Sequence, residues 1–599
     1  MIALDVETSA GSRRLDLLSL LDRDAAERAH EEAYAWIKAV RHLRVDGVPF
    51  RRRFTLRGDS LWWFAELYLH KEQAILQVFR AIAAFDALVA RDRPAAVRYV
   101  SGRHPGVVAA AAAAHRVPYT GPVWPGDASA NLVKMDMRAR ALAAGARLSR
   151  LRGGRAAAGR ARVAAFVHTA FWRSDVPDGS AESYIGPVLR AIEQRVPPAD
   201  IRYVGIGART NFRARRWWDP LIGRSDGAVV PIEQYAPAAA LTASRQVYRD
   251  RQAARTSLWS SEDLREHAVI RGVDCWPLVR EQLAGVALLQ FPWSARSMDE
   301  AAAALAALDP DVAVTYAEAG GWGRALALEC RRRRVPLAGL QHGFIYRHWL
   351  NYRHEADETA PEPGNPSDPG FPFPAATLLF DEYAARHLST AGRFPPEALA
   401  ITGSARLDEL SAAVRALTDA DVARVRHDAG AESRALVVFA AKEREARPFL
   451  PALVDAVREM TGVQLVIKPH PAETPDVYAE AAGRAANVRV LSAGAGLPGL
   501  LAAAGAIVTV NSTVAIDALA LGVPALVIGL PNNLSPFVDA GVMAGAGTAE
   551  EIRAALAKVL YNQEFRSKIG TGAGSHGHAD GQAAARSADA ILALAPKAI

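Results

Sequence analysis

A lysine and a histidine held rigidly at the end of a strand can grip a phosphate, and one stretch of this chain offers both. Val463 to Ile467 is an apolar, strand-like run, and Lys468-Pro469-His470-Pro471 follows it directly. Each proline fixes its own φ and drives the residue before it toward extended geometry. The result is a stiff turn that presents an ammonium and an imidazole. In open α/β sheets ligands bind outside the carboxyl ends of the strands, which is where this turn falls. Two strands later, Asn511-Ser512-Thr513 follows Ala506–Val510 and opens a helical stretch. Such residues cap helices, and the same hydroxyls and free N–H groups can hold a phosphate. Lys442, in the run Lys442-Glu443-Arg444-Glu445, ends the first strand of this series and is a further candidate for phosphate or ribose, although a solvated charge run explains it as well.

Proton transfer needs a different set. Gln341-His342-Gly343 follows the strand that ends at Leu340, and Tyr316-Ala317-Glu318-Ala319-Gly320-Gly321 ends another strand and opens a helix. Glu318 is the first candidate for a general base and His342 the second. Gln341 and Gly343 are placed with the donor-binding group, glycine allowing close approach of backbone to ligand. His104, in Ser101-Gly102-Arg103-His104-Pro105-Gly106, is a lesser candidate. Gly494-Ala495-Gly496-Leu497-Pro498-Gly499 fits a dinucleotide-binding pattern, but no acidic residue ends the next strand. Asp309-Pro310-Asp311 lies before its strand, Asp419-Ala420-Asp421 reads as a helix start, and no Cys/His cluster has zinc spacing. A metal-independent mechanism with no cofactor is therefore expected.

These residues must be carried by alternating strands and helices. Val97–Ser101, Val163–His168, Ile201–Gly205, Val312–Tyr316, Leu337–Leu340 and Thr377–Phe380 read as buried strands of one series. Ala435–Ala440, Val463–Ile467, Val488–Leu491, Ala506–Val510 and Ala525–Ile528 form a second. Such alternation implies parallel sheets with right-handed crossovers. The expected organisation is α/β: a mainly helical extension over 1–95, a Rossmann-like domain over 96–400, a second over 401–580, and a final helix over 581–599. Residues 353–376, rich in Pro, Glu and Asp, read as a long loop of the kind that often carries function. The aromatic run Leu61 to Tyr68 reads as core, with an aromatic wall for a sugar or lipid as the sharper alternative.

With 599 residues the chain exceeds one core. Two cysteines cannot build a disulfide framework, and no apolar run reaches the length of a membrane span. A cytoplasmic enzyme is expected, with the inner face of the membrane open to it if its acceptor is lipid-linked. The net charge of +7 suits an anionic partner. The basic clusters Arg51-Arg52-Arg53 and Arg331 to Arg334 come with no nucleic-acid motif, and the second fits a helix C-terminus.

In this order, Gln341-His342-Gly343, Thr402-Gly403-Ser404-Ala405-Arg406-Leu407-Asp408, Lys468-Pro469-His470-Pro471 and Asn511-Ser512-Thr513 resemble bacterial GT-B glycosyltransferases of surface-polysaccharide assembly. The nearest in look are capsule and lipopolysaccharide Kdo transferases, polysialyltransferases and CDP-glycerol glycerophosphotransferases. The resemblance covers roughly residues 310–530. It implies a GT-B-like fold with two domains facing across a cleft. It also implies a nucleotide-sugar donor, with a CMP-linked Kdo- or sialic-acid-like sugar foremost, and a glycan or lipid-linked glycan acceptor. By resemblance, His470, Ser512 and Thr513 contact the donor phosphate with Lys468 nearby. The acidic motif of sialyltransferases and the Trp-His-Gly-Thr of glycerophosphotransferases are missing. A sugar-nucleotide 2-epimerase of the same architecture and a non-catalytic envelope-assembly scaffold are the alternatives.

Overall fold

The computed structural model describes residues 2–71, 73–124, 129–149, 159–172, 182–207, 229–316, 318–470, 473–483, 485–492, 494–572 and 579–596. Two parallel, helix-flanked sheets form its frame. The first has seven strands in the order Val230–Pro231, Ile201–Ile206, Val163–His168, Val312–Tyr316, Leu337–Leu340, Ala376–Leu379, Leu399–Ile401. The second has six, in the order Val488–Val490, Val463–Ile467, Ala435–Phe439, Ala506–Thr509, Ala525–Ile528, Ala544–Ala546. Every pairing within them is parallel. Their central strands are continuous Val/Ile/Leu/Ala runs buried on both faces, as parallel sheets require. This is the α/β, GT-B-like pairing of two Rossmann-like sheets that the motifs led us to expect.

Each sheet reverses its winding once. In the first, the chain runs outward from Val163–His168 and returns beside it at Val312–Tyr316. In the second, it runs outward from Ala435–Phe439 and returns beside it at Ala506–Thr509. Crevices at such switch points, outside the carboxyl ends of the strands, are where open α/β sheets take ligands. They are marked here by His168 and Tyr316 in one sheet, and by Ala440–Lys442 and Asn511–Thr513 in the other.

The N-terminal extension is mainly helical as expected, through Arg23–Ala39, Trp62–Lys71 and Ala74–Asp92, and adds a sheet that was not expected. Ile2–Thr8 pairs antiparallel with Gly11–Asp16 on one side and with Ala96–Gly102 on the other, in a separate four-stranded sheet. Ile2, Leu4 and Val6 alternate with outward-facing residues, the period of a half-buried strand. The strand around Val97–Ser101 therefore belongs to this sheet and not to the first Rossmann-like sheet. Trp62, Trp63 and Phe64 are wholly buried, so the aromatic run is core and not an exposed wall. The long loop is likewise structural at its base. Glu358 meets Lys38 at 2.8 Å and accepts from Trp62 Nε1 at 2.9 Å, Asp368 meets Arg51 at 3.0 Å, and Asp357 meets Arg41. Arg331 and Arg332 both reach Asp59, so this basic cluster clasps the extension as well as complementing its helix end.

The two Rossmann-like units are stitched by two crossings. The helix Ala405–Arg415 places Ala405 in the core of the first and Leu407 and Leu410 in that of the second. The helix Ala583–Leu594 returns to the first unit, burying Ala583, Ala588 and Ile591 beside Val163 and Val314.

Candidate functional site

Lys468 and His470 sit where the strand Val463–Ile467 leaves the second sheet, and the backbone N–H of Lys468 donates to Phe439 at 2.9 Å. Both side chains are half-buried. Burial lowers the pKa of Lys468, and among the described residues its ammonium has no carboxylate partner. Burial, together with Lys442 and Lys468, lowers that of His470, against the pull of Glu473. Pro471 lies outside the described residues. Glu473 also receives the N–H of Glu443 at 3.1 Å and the hydroxyl of Tyr478 at 2.5 Å, so the turns after two adjacent strands brace each other. Lys442 is exposed and directly precedes the short helix Glu443–Ala446.

One strand over, Thr509 Oγ1 accepts the N–H of Ser512 at 3.1 Å and donates to Ala440 O at 2.5 Å. Ser512 Oγ accepts from the N–H of Val514 at 3.3 Å, and Asn511 Oδ1 accepts from the N–H of Asn533 at 3.1 Å. Asn511 thus ties two turns together, while Thr513 makes no capping bond. The turn is pre-shaped by its own hydrogen bonds, with polar side chains half-exposed at the switch point.

The loop after Leu340 spans the seam. Gln341 Oε1 accepts from the N–H of Phe380 at 2.8 Å and its amide donates to Gly343 O at 2.9 Å. Its side chain holds the two strand ends together and keeps one amide N–H beyond these bonds at the crevice wall. Phe344 crosses into the second core, 4.9 Å from Phe537 and stacked at 5.2 Å on Tyr383. The Tyr346 hydroxyl donates to Asn511 O at 3.4 Å. Gln341, Gly343, Arg406, Thr513 and Asp517 line one crevice between the units.

The motif Thr402 to Asp408 is explained by the crossings. Gly403 has φ +87°, and a Cβ there would stand 3.0 Å from Arg586 and 3.1 Å from Ala583. Ser404 caps its helix, Asp408 accepts from the N–H of Ala583 at 2.9 Å, and Thr402 Oγ1 accepts from Ser587 at 2.9 Å.

The two base candidates part company. Glu318 is buried beneath the sheet end, its carboxylate against Gly339 and accepting from the Tyr352 hydroxyl at 3.0 Å. Burial pushes its pKa up to about 7, and its second oxygen has no hydrogen-bond partner among the described residues. A carboxyl enclosed there is not among the residues that line the crevice, which weighs against it as the first candidate base. His342 lies at the strand end between the rings of Tyr316, 5.2 Å away, and Tyr184, 5.5 Å away. Burial, with His168 nearby, takes its pKa down to about 4, so the ring is neutral at pH 7. His104 belongs to the N-terminal extension, where it bonds Gln77 at 2.7 Å. Sequence reasoning missed Glu182 and Tyr184, which belong to no motif, and gave Asp517, in the helix after Asn511–Thr513, no role at the site. Among the described residues no group of His, Cys, Asp or Glu is arranged to hold a metal ion.

No known protein family and no curated protein matches the chain. Solved structures similar to it include the UDP complex of MnaA from S. aureus, at TM-score 0.42 and 13% identity over 71% of this chain and 94% of that one. UDP-GlcNAc 2-epimerase from Neisseria meningitidis bound to UDP-GlcNAc has TM-score 0.43 and 12% identity over 72% and 98%. The calicheamicin glycosyltransferase CalG4 has TM-score 0.39 and 15% identity over 73% and 98%. At these scores the likeness assigns neither an activity nor a ligand to the chain.

Proposed function

We propose that the chain is a glycosyltransferase that binds a nucleotide sugar in its second Rossmann-like unit and passes the sugar to a glycan or lipid-linked glycan held by the first. The observation that carries this reading is the alignment of cationic and N–H-bearing turns on three adjacent strand ends at the switch point of the second sheet. Lys468 and His470 supply positive charge to the leaving phosphate, and the Asn511–Thr513 turn supplies donors, so that charge developing in the transition state is stabilised by preorganised groups. Lys442 stands at the rim as a further cation. The favoured donor remains a CMP-linked Kdo- or sialic-acid-like sugar, and the favoured setting is surface-polysaccharide assembly at the inner face of the membrane.

His342 is the base of this proposal. Its neutral imidazole can take the proton of the acceptor hydroxyl, and the anionic leaving group across the crevice then stabilises the imidazolium. Glu318, protonated near neutrality and bonded to Tyr352, shapes the strand end from below. The test is turnover of CMP-, CDP- and UDP-sugars by wild type and His342→Gln, with and without glycan acceptors. Acceptor-dependent release of nucleotide that His342→Gln lowers ~100-fold or more supports the proposal, that being the range of general-base contributions. Conversion of UDP-N-acetylglucosamine without acceptor would replace transfer by epimerisation, and no turnover or nucleotide binding at all would favour the scaffold.

A further inference from the structure

Glu182 is 4% exposed and lies where the first sheet reverses its winding. Its carboxylate accepts the backbone N–H of Tyr184 at 2.6 Å and that of Ile185 at 2.5 Å, which fixes the start of the helix Gly186–Glu193. The Tyr316 phenol bears on the same carboxylate, and its oxygen also accepts the N–H of His168 at 3.1 Å. The other carboxylate oxygen is buried without a well-formed hydrogen bond. Tyr184 and Tyr316 are the two rings that wall His342, and they also touch each other at 5.8 Å. The carboxylate therefore holds the Tyr184 wall through its backbone and lies beside the hydroxyl of the Tyr316 wall, which packs on Tyr184.

We propose that Glu182 is a positioning residue that fixes the Tyr184–Tyr316 walls around His342 and so sets the hydration of that imidazole. The proposal rests on the reading of His342 as the base, but its geometry does not depend on the substrate. Among the described residues, the charged and titratable groups around the ring are His168 from the neighbouring strand end, Tyr184, Tyr316 and Glu182, and Arg406, which acts on Tyr184 from the seam. A carboxylate is needed because two backbone donors converge on one of its oxygens beside the Tyr316 phenol, and an ionised acceptor makes stronger bonds than a neutral one. Without it the rings gain freedom, water reaches His342, and the penalty on its charged form falls.

The experiment is a proton titration of His342 in histidine-labelled full-length protein by NMR, the resonance being identified by its loss in His342→Gln. In wild type the ring stays neutral until pH falls close to 4. In Glu182→Ala and in Tyr316→Phe, which keeps the ring and removes only the hydroxyl, the midpoint is expected to rise by about one pH unit, tenfold in the protonation constant. An unchanged His342 midpoint in folded Tyr316→Phe and Glu182→Ala overturns the proposal, and Tyr316→Phe decides alone if Glu182→Ala fails to fold. Full turnover in His342→Gln would remove the base assignment while leaving a midpoint shift standing, so the two failures are distinct.

Discussion

Arg406 holds Asp517 with two parallel hydrogen bonds, at 3.0 and 2.5 Å, and so joins the helix that crosses the seam to the helix that follows Asn511–Thr513. Asp517 is nearly enclosed, while the Arg406 side chain is about one-third exposed. Removing the arginine leaves a buried carboxylate unpaired, whereas removing both charges does not. We expect Arg406→Ala to lower unfolding free energy by about 2 kcal/mol after allowance for its partial exposure, and Arg406→Met with Asp517→Leu to recover most of that loss. Urea unfolding of the three proteins checks this. Equal losses in single and double variants would show that the pair contributes little.

Glu318 gives a pH signature of known sign. Its folded pKa of about 7 lies above its ordinary 4.5, so the stability it contributes is complete below about pH 4.5 and is lost as pH rises through 7. Gln cannot ionise and keeps an acceptor for Tyr352. Glu318→Gln should match wild type at pH 5 and exceed it at pH 8 by up to about 3 kcal/mol, the free-energy equivalent of the shift. Denaturant midpoints at the two values decide it.

The buried histidines act in the opposite direction. His30 is held down to about 3, and His70, His342 and His387 to about 4, burial being the largest cause in each. Each prefers to stay neutral in the fold, so its contribution is present above the unfolded pKa of about 6.5 and is lost as pH falls. At pH 5 this costs about 2 kcal/mol per histidine, offset by roughly one proton's worth from Glu318. Stability measured between pH 7 and 5 should therefore fall with net proton uptake on unfolding. Flat stability over that range would contradict the burial of these rings.

The parallel sheets were legible because their strands are continuous apolar runs, and Lys468, His470 and Asn511–Thr513 were legible because chemistry-bearing residues cluster where such runs stop. Ile2–Thr8 was not, since a short alternating strand at a chain end looks like any half-polar segment until Ala96–Gly102 pairs with it. Glu318 was placed correctly at its strand end, yet burial against Gly339 depends on a face of the sheet that spacing does not specify. Gln341 read as a ligand-binding residue, and its bonds to Phe380 and Gly343 give it a structural part that spacing does not show. Asp517 acquires meaning only through Arg406, more than 100 residues away, and Glu182 through a local turn that the distant Tyr316 packs against. The Thr402–Asp408 motif was visible as a seam, but its glycine is required by Arg586 and Ala583 from a crossing far along the chain.

The central claim is that the Lys468–His470 turn grips a nucleotide phosphate. Calorimetric titration of wild type, Lys468→Ala and His470→Ala with CMP, CDP and UDP tests it most directly. The account predicts that at least one nucleotide binds wild type and that each substitution weakens it about tenfold, ~1.4 kcal/mol, with the fold unchanged. It also predicts tighter wild-type binding as pH falls from 8 to 6, because a bound phosphate favours protonated His470, and loss of that pH dependence in His470→Ala. Equal affinity of all three proteins for the nucleotide that binds would contradict it.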